Sequence, residues 1–584
     1  MLRRLMPKID PRVTVELWGQ RKSIRLGLIC SAAASLLFAS YSILAKNAVD
    51  ILTKGGDMRW IALAVVGLFG FKYFFTWGQT YYLSEAGTLL TASLRRKLYS
   101  KLQRLPMSYF NERRAGAIQS VLMNDINVFQ NAISVLRDAI DGPLKIVIGL
   151  GVLIYLSPVM TAFLFAMFPL MWWFINRNAR KVKSIQGDVQ TDLADLTAMM
   201  QESLQGTRII KAFGAEKTML GRFSDLLDGS VASQLRLARR TATLKPMVEF
   251  IGGVSIGLVF LLCGYLVKAG QFSIGDLVGF LAALDTINQG GRNLGAMKQT
   301  SGQLEAAADR IYREVLDAPE TISDRPDAVL PALSTGRIEF QNVSFAYPDG
   351  TEALRNVSFV IEPGSSLALV GPSGSGKSTI ADLLLRFFDP TEGTILYDGV
   401  DIRELQVHWY RAQIGVVPQS TFLFAGSIVE NLRLANPAAT DQDIQDALTA
   451  AHADGFISEM PNGIETTMGE RGVRMSGGQG QRIAIARALV RKPKVLLMDE
   501  ATSNLDPISE KVVTEALDEI MHTRTTLFIA HRLTTAARAD RILMLKRGET
   551  VEVGSFEQLM AADGAFAKMY RAFSGGALDD GVLG

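Results

Sequence analysis

Apolar windows long enough to cross the roughly 30 Å hydrocarbon core of a bilayer recur before residue 300 of this 584-residue chain. Their best count is six membrane spans, and the third and fourth are separated only by Ser157 and Pro158, which predicts a tight hairpin. The spans are expected at 26–45, 60–82, 143–156, 159–175, 244–267 and 274–287. The first window is too long for a cleavable signal peptide, so this half of the chain is predicted to be an α-helical membrane domain.

The composition agrees with a membrane protein and excludes other classes. Hydrophobic residues make up 48% of the chain, and the mean hydropathy is +0.18. The formal net charge of +3 gives no case for a nucleic-acid partner. All four histidines follow residue 400, which excludes a histidine metal site in the first half. Cys30 and Cys263 lie in apolar runs, as expected for buried free thiols.

The distribution of basic residues predicts the orientation of the spans. Arginine and lysine are concentrated before span one and after spans two and four, which places the N-terminus on the cytoplasmic side. The long inner connections carry apolar residues at three-and-four spacing and are therefore expected to be helical. Each contains a glycine, Gly116 and Gly206, where we expect a break and a short transverse helix that contacts a motor domain.

The composition shifts at about Arg337, which divides the chain into domains. We expect a transmembrane domain at 1–317, a linker rich in Pro, Asp and Ser at 318–336, and a second domain at 337–573. In the second domain, runs typical of β-strands alternate with helical patterns, so it is predicted to be an α/β domain with a partly parallel sheet. The C-terminal segment 574–584 is expected to be disordered.

A phosphate-binding loop, G-x-x-x-x-G-K-S, lies between the apolar run "SLALV" and a helical pattern, which is the context that this motif requires. Its backbone N–H groups can hold phosphate oxygens at a helix N-terminus. We expect Lys377 to contact the terminal phosphates and the Ser378 hydroxyl to bind Mg²⁺. The predicted nucleotide-binding residues here are Gly371, Pro372, Ser373, Gly374, Ser375, Gly376, Lys377, Ser378 and Thr379.

An acidic pair follows a second buried apolar run, in "KVLLMDEATSNLD". Asp499 is suited to bind Mg²⁺, directly or through water. Glu500 is the candidate general base for an attacking water molecule. The alternative is that the two carboxylates only cap the helix that follows.

Further motifs resemble those of ATP-binding cassette (ABC) proteins, in their order and at their spacing. The segment "MSGGQGQRIAIARAL" resembles the family signature, at Ser476, Gly477, Gly478 and Gln479. The resemblance implies that Tyr347 stacks on adenine, that Gln419 is the Q-loop residue near Mg²⁺, that Asp506 belongs to the D-loop and that His531 is the switch histidine. The segment "GERG" at 469–472 resembles a loop that contacts the coupling helices of exporters.

The resemblance also implies how the protein assembles and works. One ATPase domain follows one set of spans, as in half-transporters, so we expect a homodimer that uses ATP and Mg²⁺. In such dimers Ser476, Gly477 and Gly478 of one subunit close on the γ-phosphate that the other subunit holds. The departures from the family pattern are Met475 and Gly480 beside the signature and Asn504 within the D-loop motif "SNLD". None of them removes a phosphate or metal ligand.

The spans resemble the exporter branch of the family, lipid A flippases and multidrug exporters. Charged residues in spans are costly and indicate function, and the candidates here are Lys72, Lys145, Asp285 and Arg292. Cations at these positions suit the phosphates of an anionic lipid, although Lys145 could equally extend to the headgroup region without binding a substrate.

Two functions stay open at this point: a flippase that moves a lipid or lipid-linked amphiphile across a bacterial inner membrane, and a multidrug exporter that recognises hydrophobic cations through Asp285. A membrane-anchored ATPase that does not transport is disfavoured by the six spans. Peptide export is disfavoured because the N-terminus has no peptidase domain with its cysteine.

Overall fold

A computed structural model describes residues 11–113, 115–468, 475–499, 507–530 and 532–575. The chain forms two compact units. The first unit comprises Met1–Tyr99 and Gln119–Leu316, and the second comprises Ser100–Ile118 and Asp317–Gly584. The first is helical and the second is α/β, which confirms the predicted fold class.

The first unit and the adjoining segment 100–118 consist of helices. They are α1 (Pro11–Gly19), α2 (Arg21–Thr53), α3 (Arg59–Leu102), α4 (Met107–Glu112), α5 (Ala115–Ser120), α6 (Ile126–Leu156), α7 (Pro158–Gln205), α8 (Thr207–Phe213), α9 (Glu216–Lys268) and α10 (Ile274–Asp309). Short π-helical turns precede α6 at Val121–Asp125 and follow α10 at Arg310–Leu316. Each predicted span lies in a different long helix, in α2, α3, α6, α7, α9 and α10.

Three stretches of the described residues are long and apolar enough to cross a membrane: Arg21–Thr53, Arg59–Leu102 and Gly116–Leu156. A shorter apolar helix lies at Gly252–Lys268. The first unit therefore has the character of a membrane domain, whereas the count of six spans stays a prediction.

The predicted turns are found in part. Ser157 ends α6 and caps α7, its Oγ accepts a hydrogen bond from the backbone N–H of Met160 at 3.3 Å, and Pro158 begins α7. This is the expected hairpin. Gly206 separates α7 from the short helix α8, as predicted. In the other connection the break lies at Arg113, which is extended (φ −120°, ψ 138°) after the short helix α4, and Gly116 itself lies inside α5. Glycine in a helix interior costs only about 1 kcal/mol relative to alanine, and contacts with the surrounding residues can override this cost.

Helices α6 and α10 cross in close contact, and this crossing lies beside the membrane cavity described below. A Cβ on Gly290 would lie 2.7 Å from the carbonyl oxygen of Gly142, and one on Gly142 would lie 3.0 Å from Leu294 Cγ. In a lipid bilayer the hydrophobic effect does not drive helices together, and small residues stabilise their association by letting the two backbones approach closely. Further along the same helices, Phe280 and Ala283 of α10 share a buried cluster with Val152, Leu156 and Met160.

The described residues of the second unit form three sheets. Its strands are β1 (Ile338–Ala346), β2 (Glu352–Ile361), β3 (Ser366–Val370), β4 (Glu392–Tyr397), β5 (Val400–Asp401), β6 (Ile414–Val417), β7 (Gly426–Ser427), β8 (Thr467–Met468), β9 (Val495–Asp499), β10 (Thr525–Ile529), β11 (Arg541–Lys546) and β12 (Glu549–Gly554). The largest sheet has the order β12-β11-β3-β10-β9-β6 and is parallel from β11 to β6. The predicted partly parallel sheet is thus present, beside an antiparallel sheet of order β2-β1-β4-β5.

Ten described helices accompany these sheets. They are α11 (Lys377–Leu384), α12 (Val407–Ala412), α13 (Ile428–Arg433), α14 (Asp441–Ala450), α15 (Asp454–Ser458), α16 (Gly477–Leu489), α17 (Pro507–Met521), α18 (Leu533–Ala536), α19 (Phe556–Ala561) and α20 (Ala565–Gly575). Helix α20 reaches into the segment 574–584 that we expected to be disordered, and the remainder of that segment lies outside the described residues.

The segment 318–336, expected as a linker, belongs to the second unit and is hydrogen-bonded to the rest of it. Val329 N donates to the carbonyl oxygen of Glu404 at 2.8 Å, and Asp324 Oδ1 accepts from Val407 N at 2.7 Å. At its end, Asp398 accepts from the backbone N–H groups of Thr335 and Arg337, each at 2.8 Å. Burial alone would raise the pKa of Asp398, but the hydrogen bond from the Thr335 hydroxyl, together with those from the backbone N–H groups, outweighs it and holds the pKa below its ordinary value.

Candidate functional sites

The parallel sheet brings the predicted nucleotide residues to one edge. Strand register pairs Ile529 of β10 with Leu369 of β3 on one side and with Asp499 of β9 on the other, and Met498 pairs with Val417 at the end of β6. The phosphate loop, Asp499 and Gln419 therefore all follow the carboxyl ends of neighbouring strands, where ligands bind in open α/β sheets. Glu500 comes directly after β9 and His531 comes two residues after β10 in the sequence, but both lie outside the described residues.

The phosphate loop has a backbone that only glycine accommodates. Gly371, Gly374 and Gly376 have φ values of +149°, +75° and +103°. A Cβ on Gly371 would lie 2.2 Å from the carbonyl oxygen of Leu545, and one on Gly376 would lie 2.6 Å from Leu354 Cδ2. Gly374 has no described atom within 4 Å of its Cβ position. The loop is thus packed against the domain at two points and open between them, as a phosphate cradle requires.

Lys377 begins α11 and turns back across this loop. Its side chain is buried, and Nζ donates to the carbonyl oxygens of Gly371 at 2.8 Å and Pro372 at 2.9 Å. Ser375 is buried next to it, with Oγ 3.5 Å from Lys377 Nζ, whereas Ser373 and Ser378 are exposed. The ammonium group therefore lies within the loop, where it can bind phosphate oxygens.

Tyr347 lies beside the start of α11. Its hydroxyl is 3.0 Å from Thr379 Oγ1, and its ring packs edge-on against Phe345 and Phe388. Burial raises the pKa of Tyr347, so the hydroxyl stays protonated and can donate. The ring is near the phosphate loop, as an adenine-stacking role requires.

Two carboxyl groups lie near each other at the same edge. Burial raises the pKa of Asp382, in α11, from 3.8 to about 6, and the negative charge of Asp499 adds to the rise. Such a concentration of negative potential favours a cation. The oxygen donors of Ser378, Gln419 and Asp499 are of the kind that Mg²⁺ prefers, so the residues present fit a magnesium ion.

The signature residues form the start of helix α16. Ser476 caps α16 in a capping box: its Oγ accepts from Gln479 N at 3.2 Å, and Gln479 Oε1 accepts from Ser476 N at 3.0 Å. Gly477 is exposed, and a Cβ on Gly478 would lie 2.5 Å from Ser509 Cβ. An exposed N–H group at a helix start can bind phosphate. Asp506, Asn504 and the 469–472 loop lie outside the described residues.

The signature helix is bonded to the segment that contains the Q-loop. Gln481 is buried, accepts a hydrogen bond from Thr421 Oγ1 and donates to the carbonyl oxygen of Pro418 at 3.3 Å. Arg487, two turns along α16, donates to the carbonyl oxygen of Phe422 at 2.9 Å. Sequence reasoning missed Gln481, although its place two residues after Gln479 in the signature was a usable signal.

The first unit contains a cavity of about 300 Å³ lined by charged side chains. It brings Lys72 and Lys145 together, as the sequence suggested, and adds Arg137 and Asp141. Asp285 and Arg292 do not line this cavity: both side chains are mostly exposed, and the closest approach of Arg292 Nη2 to Asp285 Oδ1 is 4.0 Å.

Arg137 and Asp141 were not among the predicted site residues. Together with Lys145 they recur every fourth residue along α6, a spacing that places them on one face of a helix. This periodicity was visible in the sequence and could have identified the charged face. Asp141 is one of the buried charged residues of the first unit.

Comparisons with known proteins agree with both units. Residues 24–289 match the family model described as the ABC transporter transmembrane region, and residues 354–503 match the family model described as ABC transporter. The chain is 36% identical over 554 residues to an ATP-dependent lipid A-core flippase of Syntrophus aciditrophicus, covering 94% of this chain and 91% of the relative.

Two further relatives are similar over most of the chain. An ATP-dependent lipid A-core flippase of Thiobacillus denitrificans is 34% identical, covering 93% of this chain and 94% of the relative. An ABC transporter ATP-binding protein of Bacillus subtilis, YfiC, whose name gives no substrate, is 33% identical, covering 88% of this chain and 85% of the relative.

Proposed function

The chain belongs to the ABC transporters, and from this premise we propose that it is a homodimeric exporter that moves a lipid or lipid-linked amphiphile with an anionic headgroup. As a member of this family it is a membrane protein that binds ATP and couples ATP hydrolysis to transport. The proposed direction is from the inner to the outer side of a bacterial cytoplasmic membrane, with the N-terminus and the ATPase domain in the cytoplasm.

The cation-lined cavity is the main observation that supports the proposed substrate class. Lys72, Arg137 and Lys145 meet there beside the ring of Phe38, and a membrane domain tolerates such charges where they serve a ligand. Relatives named lipid A-core flippases support an amphiphile with phosphate groups. Asp285 does not line this cavity and lies 4.0 Å from Arg292, which makes it a weaker candidate for recognition of a cationic drug.

The residues at the sheet edge have distinct proposed roles in ATP hydrolysis. The phosphate loop and Lys377 bind the phosphates, and Tyr347 stacks on the adenine. Glu500 orients and deprotonates the attacking water, and His531 contacts the γ-phosphate. Ser378, Gln419 and Asp499 would hold Mg²⁺, which neutralises phosphate charge when bound. Asp506 would help to join the two ATPase domains.

The dimer completes each ATP site in this proposal. Each chain has one phosphate loop and one signature, and Ser476, Gly477, Gly478 and Gln479 of one copy would close on the ATP held by the other. ATP would then favour the closed pair, and the short helices near residues 107–120 and 207–213 would transmit closure to the spans.

Reconstitution of the full chain in phosphatidylcholine vesicles tests the function. ATP turnover is measured with purified lipid A and, separately, with the hydrophobic cation tetraphenylphosphonium. The proposal predicts that lipid A raises turnover and that Lys72→Ala reduces this response. Stimulation by the cation alone, lost in Asp285→Asn and retained in Lys72→Ala, would instead indicate a multidrug exporter.

A second variant tests the ATP chemistry. Glu500→Gln should bind ATP, hydrolyse it very slowly and accumulate as a closed dimer, which crosslinking of the ATPase domains would detect. Hydrolysis at the normal rate would show that Glu500 is not the general base.

A further inference from the structure

The two chain neighbours of the predicted switch histidine, His531, are both anchored. Before it, Ala530 N donates to the carbonyl oxygen of Leu369 at 3.0 Å, in the strand that leads into the phosphate loop. After it, Arg532 precedes the short helix α18, and its carbonyl oxygen accepts a hydrogen bond from the backbone N–H of Thr535 at 3.0 Å. The backbone on either side of position 531 is therefore fixed.

The side chain of Arg532 reaches across to helix α17. Its Nη1 forms an ion pair with Oε1 of Glu510, which lies in the first turn of that helix. Glu510 is the more buried partner, with a side chain that is 24% exposed, against 57% for Arg532. The residue next to the predicted switch histidine is thereby joined to the helix that begins directly after Asp506 of the predicted D-loop.

The same turn of α17 packs against the signature helix. A Cβ on Gly478 would lie 2.5 Å from Ser509 Cβ and 2.6 Å from Ser509 Oγ, so the backbone of α16 is in close contact with the residue before Glu510. In the proposed dimer, the signature would contact ATP held by the partner, whereas His531 would contact ATP held by its own chain. The first turn of α17 therefore connects the signature helix to the chain segment that carries the histidine.

We propose that the ion pair between Glu510 and Arg532 positions His531 for ATP hydrolysis and ties that position to the signature helix of the same chain. When closure of the dimer moves the signature and the D-loop, the first turn of α17 moves with them, and Arg532 carries the movement to the histidine. Glu510 and Arg532 are positioning residues in this account and do not contact ATP. The inference rests on the proposed function, since it assigns the regulation of the same ATP site.

The partial exposure of the ion pair limits the size of its effect. Water and salt screen charges at a surface, so such pairs contribute little free energy. An upper value of about 1 kcal/mol corresponds to a change in kcat of about fivefold. Loss of a group that itself transfers a proton costs about 10²–10⁴-fold. The KM for ATP should change little, because the phosphate loop and Lys377 bind the nucleotide.

ATP turnover of the full chain in phosphatidylcholine vesicles tests the ion pair through kcat and KM. Glu510→Gln and Arg532→Gln should each lower kcat about fivefold, and the double variant should lower it no further, because both changes remove the same interaction. Glu510→Arg/Arg532→Glu, which reverses the pair, should restore most of the lost kcat. If Glu510 served only to place a negative charge at the start of α17, Glu510→Gln would lower the melting temperature and leave kcat unchanged, which would overturn the proposal.

The ion pair between Arg538 and Asp518 provides a matched control. It joins α17 to the turn after α18, and its two side chains are similarly exposed, at 47% and 34%. Asp518 lies roughly 12 Å beyond Glu510 along α17, at 1.5 Å per residue, and so away from the first turn. Asp518→Asn should therefore leave kcat unchanged. An equal loss of kcat in Asp518→Asn and Glu510→Gln would show that general support of α17, and not the position of His531, limits turnover.

Combination with His531→Ala shows whether the ion pair acts through the histidine. The residual turnover of His531→Ala is measured as release of radiolabelled phosphate, and the addition of Glu510→Gln should not lower it further. A second fivefold loss in this background would overturn the positioning role. Glu510→Gln in the Glu500→Gln background should still accumulate the closed dimer with ATP, and failure to close would likewise overturn that role. Normal turnover in His531→Ala alone would instead contradict the part that the proposed function gives to His531.

Discussion

Replacement of Asp382 by asparagine should stabilise the ATPase domain. Asp382 is half-buried in α11 near Asp499, and its pKa rises from 3.8 to about 6. At 1.36 kcal/mol for each pKa unit, keeping this carboxylate charged costs the folded state at most about 3 kcal/mol. Solvent reaches part of the side chain and screens its charge, which reduces the expected gain of Asp382→Asn to about 1–2 kcal/mol.

The sign of the pH dependence follows from the direction of the shift. A raised pKa in the folded state means that folding favours the protonated carboxyl, so the cost is complete above pH 6. It disappears as the pH falls below 3.8, where the carboxyl is protonated in both states. The advantage of Asp382→Asn should therefore be largest at neutral pH and vanish in acid.

Thermal unfolding of the full chain in detergent and EDTA, over a series of pH values, measures this effect. A change of 1 kcal/mol corresponds to about 2–4 °C in the melting temperature of a domain of this size. Asp446→Asn, which removes an exposed carboxylate from α14, is the matched control and should change little. A lower melting temperature for Asp382→Asn at neutral pH, or a gain that does not depend on pH, would refute the reasoning.

Three further predictions concern backbone contacts. Ser476→Ala should lower the free energy of unfolding by about 1 kcal/mol through loss of the helix cap. Ser476→Asn should retain the cap but still reduce ATPase activity. Equal ATPase activity in Ser476→Asn and the wild type would contradict a contact between Ser476 and phosphate. Gly371→Ala should weaken binding of a fluorescent ATP analogue more than about tenfold, because its Cβ would lie 2.2 Å from the carbonyl oxygen of Leu545. Asp398→Ala removes the acceptor for Thr335 and should increase proteolysis within 318–336, while unchanged cleavage would show that these hydrogen bonds do not hold the segment.

Local features were predictable because their causes are local. The hairpin at Ser157 and Pro158, the strand before the phosphate loop and the helix start at Ser476 depend on neighbouring residues and on backbone conformation. Gly116 shows the limit of such reasoning, because it lies within a helix although glycine has a low helix propensity.

The environment of a charged side chain was less predictable. Lys145 could be named from the sequence, but its partner Asp141 is fixed by Ser35 and Asn293, which are 106 and 152 residues away from Asp141 in the chain. The exposed position of Arg292 likewise depends on how α10 is rotated, and the charge pattern alone does not give that rotation. Nothing in the structure explains the departure at Gly480, where the position of a Cβ would be 3.6 Å from the nearest atom.

The hydrogen bonds of Gln481 have a consequence for cooperativity between the two ATP molecules of the proposed dimer. Within one chain, Gln481 joins the signature helix, which would serve the partner's nucleotide, to the Q-loop segment, which would serve the chain's own. ATP binding at either of the two sites would then change the ATP affinity of the other site by the same factor, because free-energy coupling between two sites is reciprocal. Gln481→Leu should accordingly lower the Hill coefficient for ATP toward one.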